Sequence, residues 1–221
     1  ILFNNNYTFS AYLLEYGGNT VGKLDLSKGE IIKQIEIGLS TNRGITVSPD
    51  EKYLYVTTEI GKISVVDLST YKEFNKIIVQ NEPVCIFISH KGDKFFVINK
   101  GSNSVTVIET DTMLVKSTIT VGKQPVSGII TRDDQEVYIC NYSSNDITAV
   151  DLNTGHIKNI QVDKRPVCIV ESPSSQKLYV TNSEAENISI IDRKKKNVIG
   201  SISVPYGSTD LIITSDEKTF M

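Results

Sequence analysis

The sequence predicts an all-β protein built as a tandem array of four-stranded units, and three recurring marks predict it. An acidic residue closes a short apolar run at Asp25, Asp67, Glu109, Asp151 and Asp192, at spacings of 42, 42, 42 and 41. An aromatic residue opens another run at Tyr12, Tyr55, Phe96, Tyr138 and Tyr179, at spacings of 43, 41, 42 and 41. A proline follows a polar turn at Pro83, Pro125 and Pro166, spaced 42 and 41. Three independent marks in one phase define a repeat, and a period of about 42 residues with several short strands is the size of one β-propeller blade.

Each repeat holds four strand-like segments. The first follows the proline, as in Cys85-Ile86-Phe87-Ile88 and Gly128-Ile129-Ile130. It ends in a turn such as Ser48-Pro49-Asp50-Glu51-Lys52, where proline and aspartate suit the turn backbone. The second is aromatic-led: Tyr55-Val56-Thr57-Thr58, Phe96-Val97-Ile98-Asn99, Tyr138-Ile139-Cys140-Asn141 and Tyr179-Val180-Thr181-Asn182. The third runs to the acidic mark, as in Ile63-Ser64-Val65-Val66-Asp67, and a turn such as Leu152-Asn153-Thr154-Gly155 follows. The fourth alternates strictly, as in Ser117-Thr118-Ile119-Thr120-Val121 and Ser201-Ile202-Ser203-Val204.

The first segment is apolar on both faces and predicts burial on both sides, while the alternating fourth predicts a half-exposed strand. That gradient is expected of a blade whose first strand is innermost and whose fourth is outermost. No segment of helical period interrupts it. The chain reads as one propeller domain over 1–221, with blades near 1–40, 41–81, 82–123, 124–164 and 165–206 and a partial blade at 207–221. Ile1-Leu2-Phe3 is expected to open the first blade and Leu211-Ile212-Ile213 to begin a sixth, which favours an arc of a larger propeller over a closed five-blade ring.

Composition narrows the function classes. The net charge is −3 and the pI near 5.5, which gives no electrostatic footprint for nucleic acid. No apolar run reaches the ~20 residues of a membrane-spanning helix. The three cysteines, Cys85, Cys140 and Cys168, match no zinc or redox spacing and read as small buried hydrophobes. The two histidines, His90 and His156, fall at different levels of the repeat, so no metal and no cofactor is expected. No nucleophile elbow, phosphate-binding glycine loop or calcium loop is present. The basic run Arg193-Lys194-Lys195-Lys196 reads as a solvated turn. Asn99, Asn141 and Asn182 read as strand-end residues bonded to their own turn backbone. The sequons at Asn6, Asn141 and Asn187 are near chance in so Asn-, Ser- and Thr-rich a chain.

The run Tyr179-Val180-Thr181-Asn182, with Ile188-Ser189-Ile190-Ile191-Asp192, resembles the YVTN family of β-propeller repeats. Val121-Gly122-Lys123-Gln124-Pro125 resembles that family's turn between blades. Two departures stand out: Asn42-Arg43 where the proline is expected, and Glu51 where the family has glycine after Ser-Pro-Asp. The chain has no tryptophan, so the signature of WD40 repeats is missing despite a compatible length. That family includes surface-layer-associated proteins, and the resemblance implies seven blades and an extracytoplasmic setting (periplasmic, cell surface or secreted).

The resemblance implies a site at the propeller axis on one face, reached by the first strands and the linkers entering each blade. The candidate ligand-binding residues are Arg43, Glu82, Lys123, Gln124, Lys164 and Arg165 on the linkers. Glu171 joins them as an acid standing where other first strands carry Val47, Ile88, Ile130 and Thr214. No catalytic residue is assigned. The leading expectation is a non-enzymatic scaffold or binding module for a protein, glycan or small-molecule partner. The alternative is a propeller enzyme or enzyme subunit, either a lactonase-like hydrolase or a dehydrogenase propeller subunit.

Overall fold

The structure, a computed structural model, describes residues 10–214; the expected strand at Ile1–Phe3 lies outside them. The described residues form strands and turns only, in five antiparallel sheets. The first blade contributes β1 (Ser10–Leu14), β2 (Thr20–Asp25) and β3 (Glu30–Glu36). The second is β4 (Thr41–Val47), β5 (Tyr53–Thr58), β6 (Lys62–Asp67) and β7 (Lys72–Ile78). The third is β8 (Pro83–Ile88), β9 (Lys94–Asn99), β10 (Ser104–Glu109) and β11 (Val115–Thr120). The fourth is β12 (Pro125–Ile130), β13 (Glu136–Asn141), β14 (Asp146–Asp151) and β15 (Ile157–Gln161). The fifth is β16 (Pro166–Glu171), β17 (Lys177–Asn182), β18 (Asn187–Asp192) and β19 (Asn197–Ser203). Strands pair in sequence order within every sheet. Beyond the fifth blade, Leu211 is buried against Tyr179 and Ile188 and starts a partial sixth.

The chain divides into two compact units. One runs to Thr118 apart from Asn103–Val105; the other takes those three residues and everything from Ile119. In the first unit, Tyr12, Val21 and Ile35 pack against Leu54, Val56 and Val66, and Tyr55, Ile63 and Val65 pack against Phe95, Val97 and Ile108. In the second, Tyr138, Cys140, Ile147 and Ala149 pack against Ile169, Leu178, Val180 and Ile191. Successive strand residues point to opposite faces. So Leu54 and Val56 serve one neighbouring blade while Tyr55, between them, serves the other.

This double duty corrects one expectation. The strands buried on both faces are the second and third of each blade, such as β5, β9 and β14; the first strands β8, β12 and β16 are only half-buried. A first strand is a sheet edge, so its apolar side chains are covered by one neighbour and not two. The fourth strands are the most exposed, and more so than the half-exposure expected: β11 is exposed at all but one position.

The acidic mark has a local cause. The carboxylate of Asp67 accepts from the amides of Ser69 and Thr70, and Asp25 does so from Ser27 and Lys28, and Asp151 from Asn153 and Thr154. Each is an Asx turn closing the third strand. The strand-end asparagines behave differently from expectation. Their amides bond across to the third strand: Asn99 to Thr106 at 2.9 Å, Asn141 to Asp146 and Thr148 at 2.6 and 2.8 Å, Asn182 to Asn187 and Ser189, both at 2.8 Å. Buried asparagine needs partners, and the neighbouring strand supplies polar side chains on the same face. Cys140 is buried as expected, whereas Cys85 and Cys168 are half-buried on first strands. Burial pushes the Cys168 thiol up from its ordinary value.

Candidate ligand site on the linkers between blades

The strands of each blade leave two sets of connections. The linker between blades and the loop joining second to third strand lie at one end. The turns after the first and third strands lie at the other. The linkers carry a repeated backbone feature. Glu82, Gln124 and Arg165, each just before the proline, have φ of 52°, 51° and 60°. That left-handed conformation costs a residue with a side chain about 1 kcal/mol, and proline disfavours other helical conformations before it. A one-residue irregularity follows each proline, between Pro83/Cys85, Pro125/Ser127 and Pro166/Cys168.

Hydrogen bonds hold the strained residue. The Gln124 amide donates to Asn103 Oδ1 at 2.8 Å and the Arg165 amide to Asn145 Oδ1 at 3.0 Å. The carbonyls of Lys123 and Gln124 accept from the amides of Ser143 and Tyr142, both at 3.0 Å. Those of Lys164 and Arg165 accept from Glu184 and Ser183. Gly122 sits where a Cβ would lie 2.6 Å from the Asn141 side chain, so the linker backbone needs glycine there.

In the second unit these backbones converge five side chains. Ser143 Oγ donates to Gln124 Oε1 at 2.6 Å and accepts from Arg165 Nη1 at 3.2 Å. The Arg165 guanidinium lies 4.5 Å from the Tyr142 ring centroid, and its Nε is 3.5 Å from Glu184 Oε2. Lys123 and Lys164 are exposed beside them. With Gln124 Oε1 held by Ser143, its amide nitrogen and the remaining guanidinium donors are positioned to meet an anionic or carbonyl oxygen.

The other sequence candidates fall elsewhere. Glu82 pairs with Lys100 at 3.1 Å in the first unit. Arg43 lies past the linker, within the irregularity between Thr41 and Ile45, with its guanidinium 5.3 Å from the Tyr16 ring centroid. Glu171 is at the opposite end of its strand. Its carboxylate is 6% exposed, accepts from the Arg132 amide at 3.0 Å and meets Arg193 Nη1 at 3.2 Å. An ion-pair partner twenty-two residues away could not be read from the repeat phase. Tyr142 and Ser143 were missed because they stood inside a sequon; the legible signal was Tyr142's place four residues after the strand-opening aromatic. That sequon is not a modification site in the fold, since Asn141 is fully buried, and Asn187 Nδ2 is bonded to Asp163 at 2.8 Å. Asn6 lies outside the described residues.

The turn end of the fourth and fifth blades holds an ionic cluster. Arg193 Nε meets Glu136 at 2.7 Å, Nη2 meets Asp133 at 2.7 Å, and Lys196 meets Glu136 at 2.8 Å. Burial would raise the Glu136 carboxyl, but Lys196 and Arg193 outweigh it and hold it below its ordinary value. Asp133 is held down likewise against burial, by Thr131 and Arg193. So two of the four residues of the basic run fold inward, and a cleft of about 710 Å³ opens beside them. Both histidines are exposed, and among the described residues no three or more His, Cys, Asp or Glu gather into a metal-binding group.

Comparison with known proteins fits this architecture. Among curated proteins, none matches the chain. Among solved structures, the hydrazine synthase of Kuenenia stuttgartiensis superposes with a TM-score of 0.81 at 20% identity, over 96% of this chain and 69% of that one. A functionally unknown protein from Desulfotomaculum acetoxidans DSM 771 superposes with a TM-score of 0.82 at 14% identity, over 96% and 71%. At such identities the likeness is one of fold. A family model described as lactonase, seven-bladed β-propeller, matches residues 38–171, more than half of the 221. The chain belongs to this lactonase family of seven-bladed β-propellers.

Proposed function

We propose that the protein is a propeller binding module whose linker face in the second unit takes a small organic ligand carrying a carboxylate or lactone carbonyl. One observation carries this reading: Ser143 ties Gln124 and Arg165 together, while both are held in a left-handed backbone just before proline. The same left-handed backbone recurs at Glu82 and in turns at Glu51, Met113 and Lys196. What sets this linker apart is the Ser143 bridge, which holds Gln124 and Arg165 beside Tyr142 and two exposed lysines. Lys123 and Lys164 supply a positive rim, and the Arg165 fork supplies directed contacts.

A second reading, hydrolysis of a lactone, is favoured by the family match. Water would add to the ring carbonyl, the ring C–O bond would break, and a hydroxy acid would leave. Both readings are tested by titrating the 221-residue chain with glucono-δ-lactone and with gluconate, following binding by calorimetry and ring opening by acid release. Binding of either probe that Arg165→Gln weakens about tenfold or more, roughly the value of one charged hydrogen bond, supports the module. Ring opening above the uncatalysed rate that the same substitution abolishes supports the hydrolase. Binding indifferent to Arg165 sinks the site. An extracytoplasmic location belongs to the same reading, on the resemblance to YVTN repeats; cell fractionation that finds the protein in the cytoplasm overturns it.

A further inference from the structure

We infer that the first unit carries a second site of the same chemistry, at Arg43 and Tyr16, so that one chain binds two small carboxylates. The inference extends the linker-face reading above. Tyr16 stands four residues after Tyr12, as Tyr142 does after Tyr138. The same position in the other three loops is Glu59, Lys100 and Ser183. Only these two loops present an aromatic ring there, and each ring meets a guanidinium from the start of the following blade, at 5.3 Å for Arg43 and 4.5 Å for Arg165.

The two arginines come from different registers of the repeat. Arg165 precedes its proline; Arg43 follows Thr41, the residue that pairs with the end of the second strand as Pro83 does. The same arrangement is therefore reached by two backbone routes. In the first unit the route is tightly built. The Thr41 hydroxyl donates to the Glu15 carbonyl at 2.5 Å, the Thr41 amide to the Gly18 carbonyl at 2.8 Å, and the Gly17 amide to the Thr41 carbonyl at 3.0 Å. These bonds clamp the loop bearing Tyr16 to the strand bearing Arg43. On the far side of Arg43, the Gly44 amide donates to Thr57 Oγ1 at 2.8 Å, and a Cβ at Gly44 would lie 2.7 Å from Thr57 Cγ2. The backbone on both sides of Arg43 is thus pinned.

What is pinned is left open to solvent. Tyr16 is 64% exposed, Arg43 is exposed, and among the described residues Arg43 forms no ion pair. Arg165, by contrast, already has Glu184 at its Nε. A rigid exposed ring with an uncompensated guanidinium on it is suited to a small carboxylate: the fork takes the carboxylate and the ring takes the carbon body. With no carboxylate of the described residues paired to it, the Arg43 site should be the tighter of the two.

The test is NMR titration of the full chain with gluconate, monitoring the arginine side-chain Nε–H signals, with circular dichroism confirming the fold of each variant. Two arginine signals, Arg43 and Arg165, are expected to move. Arg43→Gln should abolish one binding event and leave that at Arg165, and Tyr16→Leu should weaken the Arg43 event about two- to fivefold. If Arg43→Gln changes nothing while Arg165→Gln removes all binding, this inference fails and the linker-face reading stands. If Arg43 binds and Arg165 does not, the Arg43 site stands, while the linker-face reading and the count of two carboxylates per chain both fail. No movement of the Arg43 signal in the wild-type chain overturns it.

Discussion

The seam between the second and third blades and that between the fourth and fifth use the same backbone and opposite chemistry. In the latter, Arg193 and Lys196 bind Glu136, and Arg193 also binds Glu171 and Asp133. At the corresponding places the former has Thr110 for Arg193, Met113 for Lys196, Tyr53 for Glu136 and Ile88 for Glu171; only the aspartate, Asp50, is kept. Tyr55 stacks on Phe95 at 4.6 Å, and Tyr53, Ile88 and Met113 pack on the same core. Even the left-handed turn residue is shared, Met113 at φ 57° and Lys196 at 52°. The cleft beside the apolar seam is about 370 Å³, against about 710 Å³ beside the ionic one. The backbone phase therefore specifies the blade, and the seam accepts whichever chemistry is internally consistent. The cost differs: among the described residues Tyr55 Oη and Thr110 Oγ1 are buried without a partner, whereas Tyr138, at the place of Tyr55, donates to Glu136 at 3.0 Å.

The largest effect should come from Arg193→Met. It takes the guanidinium from Glu136 and Glu171, whose side chains are 13% and 6% exposed. It leaves Glu136 with Lys196 and Tyr138, and Glu171 with the Arg132 amide. The loss should therefore be about 3 kcal/mol, the low end of what removing one partner of a buried ionic set costs. Urea unfolding measures it. Transplanting the other seam whole, with Glu136→Tyr, Glu171→Ile, Arg193→Thr and Lys196→Met together, should recover most of that loss, because replacing a buried ionic set by packed apolar groups is near neutral. A transplant as unstable as the single variant breaks the idea that seams are interchangeable.

Acid should separate the seams next. Glu136 and Asp133 are held below their ordinary values in the fold, so their contribution is fully present above an unfolded pKa near 4.5 and 3.8 respectively. It is lost as pH falls below those values through the folded ones. Wild-type stability should fall over that acid range more steeply than in the transplanted variant. Equal slopes would show that the ionic seam is not the acid-labile element.

A smaller contrast lies in the two tyrosines. Burial pushes the Tyr55 hydroxyl up to about 12, and burial together with Glu136 raises Tyr138 as well, so neither ionises near neutrality. Tyr138→Phe removes a hydrogen bond to a carboxylate and should cost about 1–2 kcal/mol, while Tyr55→Phe removes an orphan hydroxyl and should be neutral or slightly stabilising. Thermal unfolding of both variants decides it; equal losses would contradict the assignment of partners.

Smallest is Glu51→Gly. Glu51 has φ 56° where the third blade's equivalent turn has Gly92 at 75°. Relieving the left-handed strain should add about 0.5–1 kcal/mol of stability.

The repeat was legible because its marks are local. Asp67 bonds amides two and three residues on, so the turn leaves its mark at a fixed place in the sequence. The prolines show for the same reason. Burial across blades was less legible. The first strands look as apolar as the second, and only the sheet edge explains why β12 is half-covered. Partners distant in sequence were illegible: Arg193 reaches Glu136 and Asp133 across fifty-seven and sixty residues, so a buried clamp read as a solvated basic turn and Glu171 read as a candidate ligand-binding acid. On the linker face, residue types at Gln124 and Arg165 were visible, but not the left-handed backbone that presents them or the Ser143 bridge between them.

Arg165 and Arg193 stand at opposite ends of one blade junction, the first assigned to ligand and the second to cohesion. Gluconate binding by calorimetry, set beside urea unfolding, for Arg165→Gln and for the transplanted-seam variant separates these roles. The account predicts that Arg165→Gln keeps wild-type stability and loses binding in the second unit, while the transplanted seam keeps wild-type binding. Binding that survives Arg165→Gln but disappears when Arg193 and its partners are replaced would contradict it and move the ligand site to the turn face.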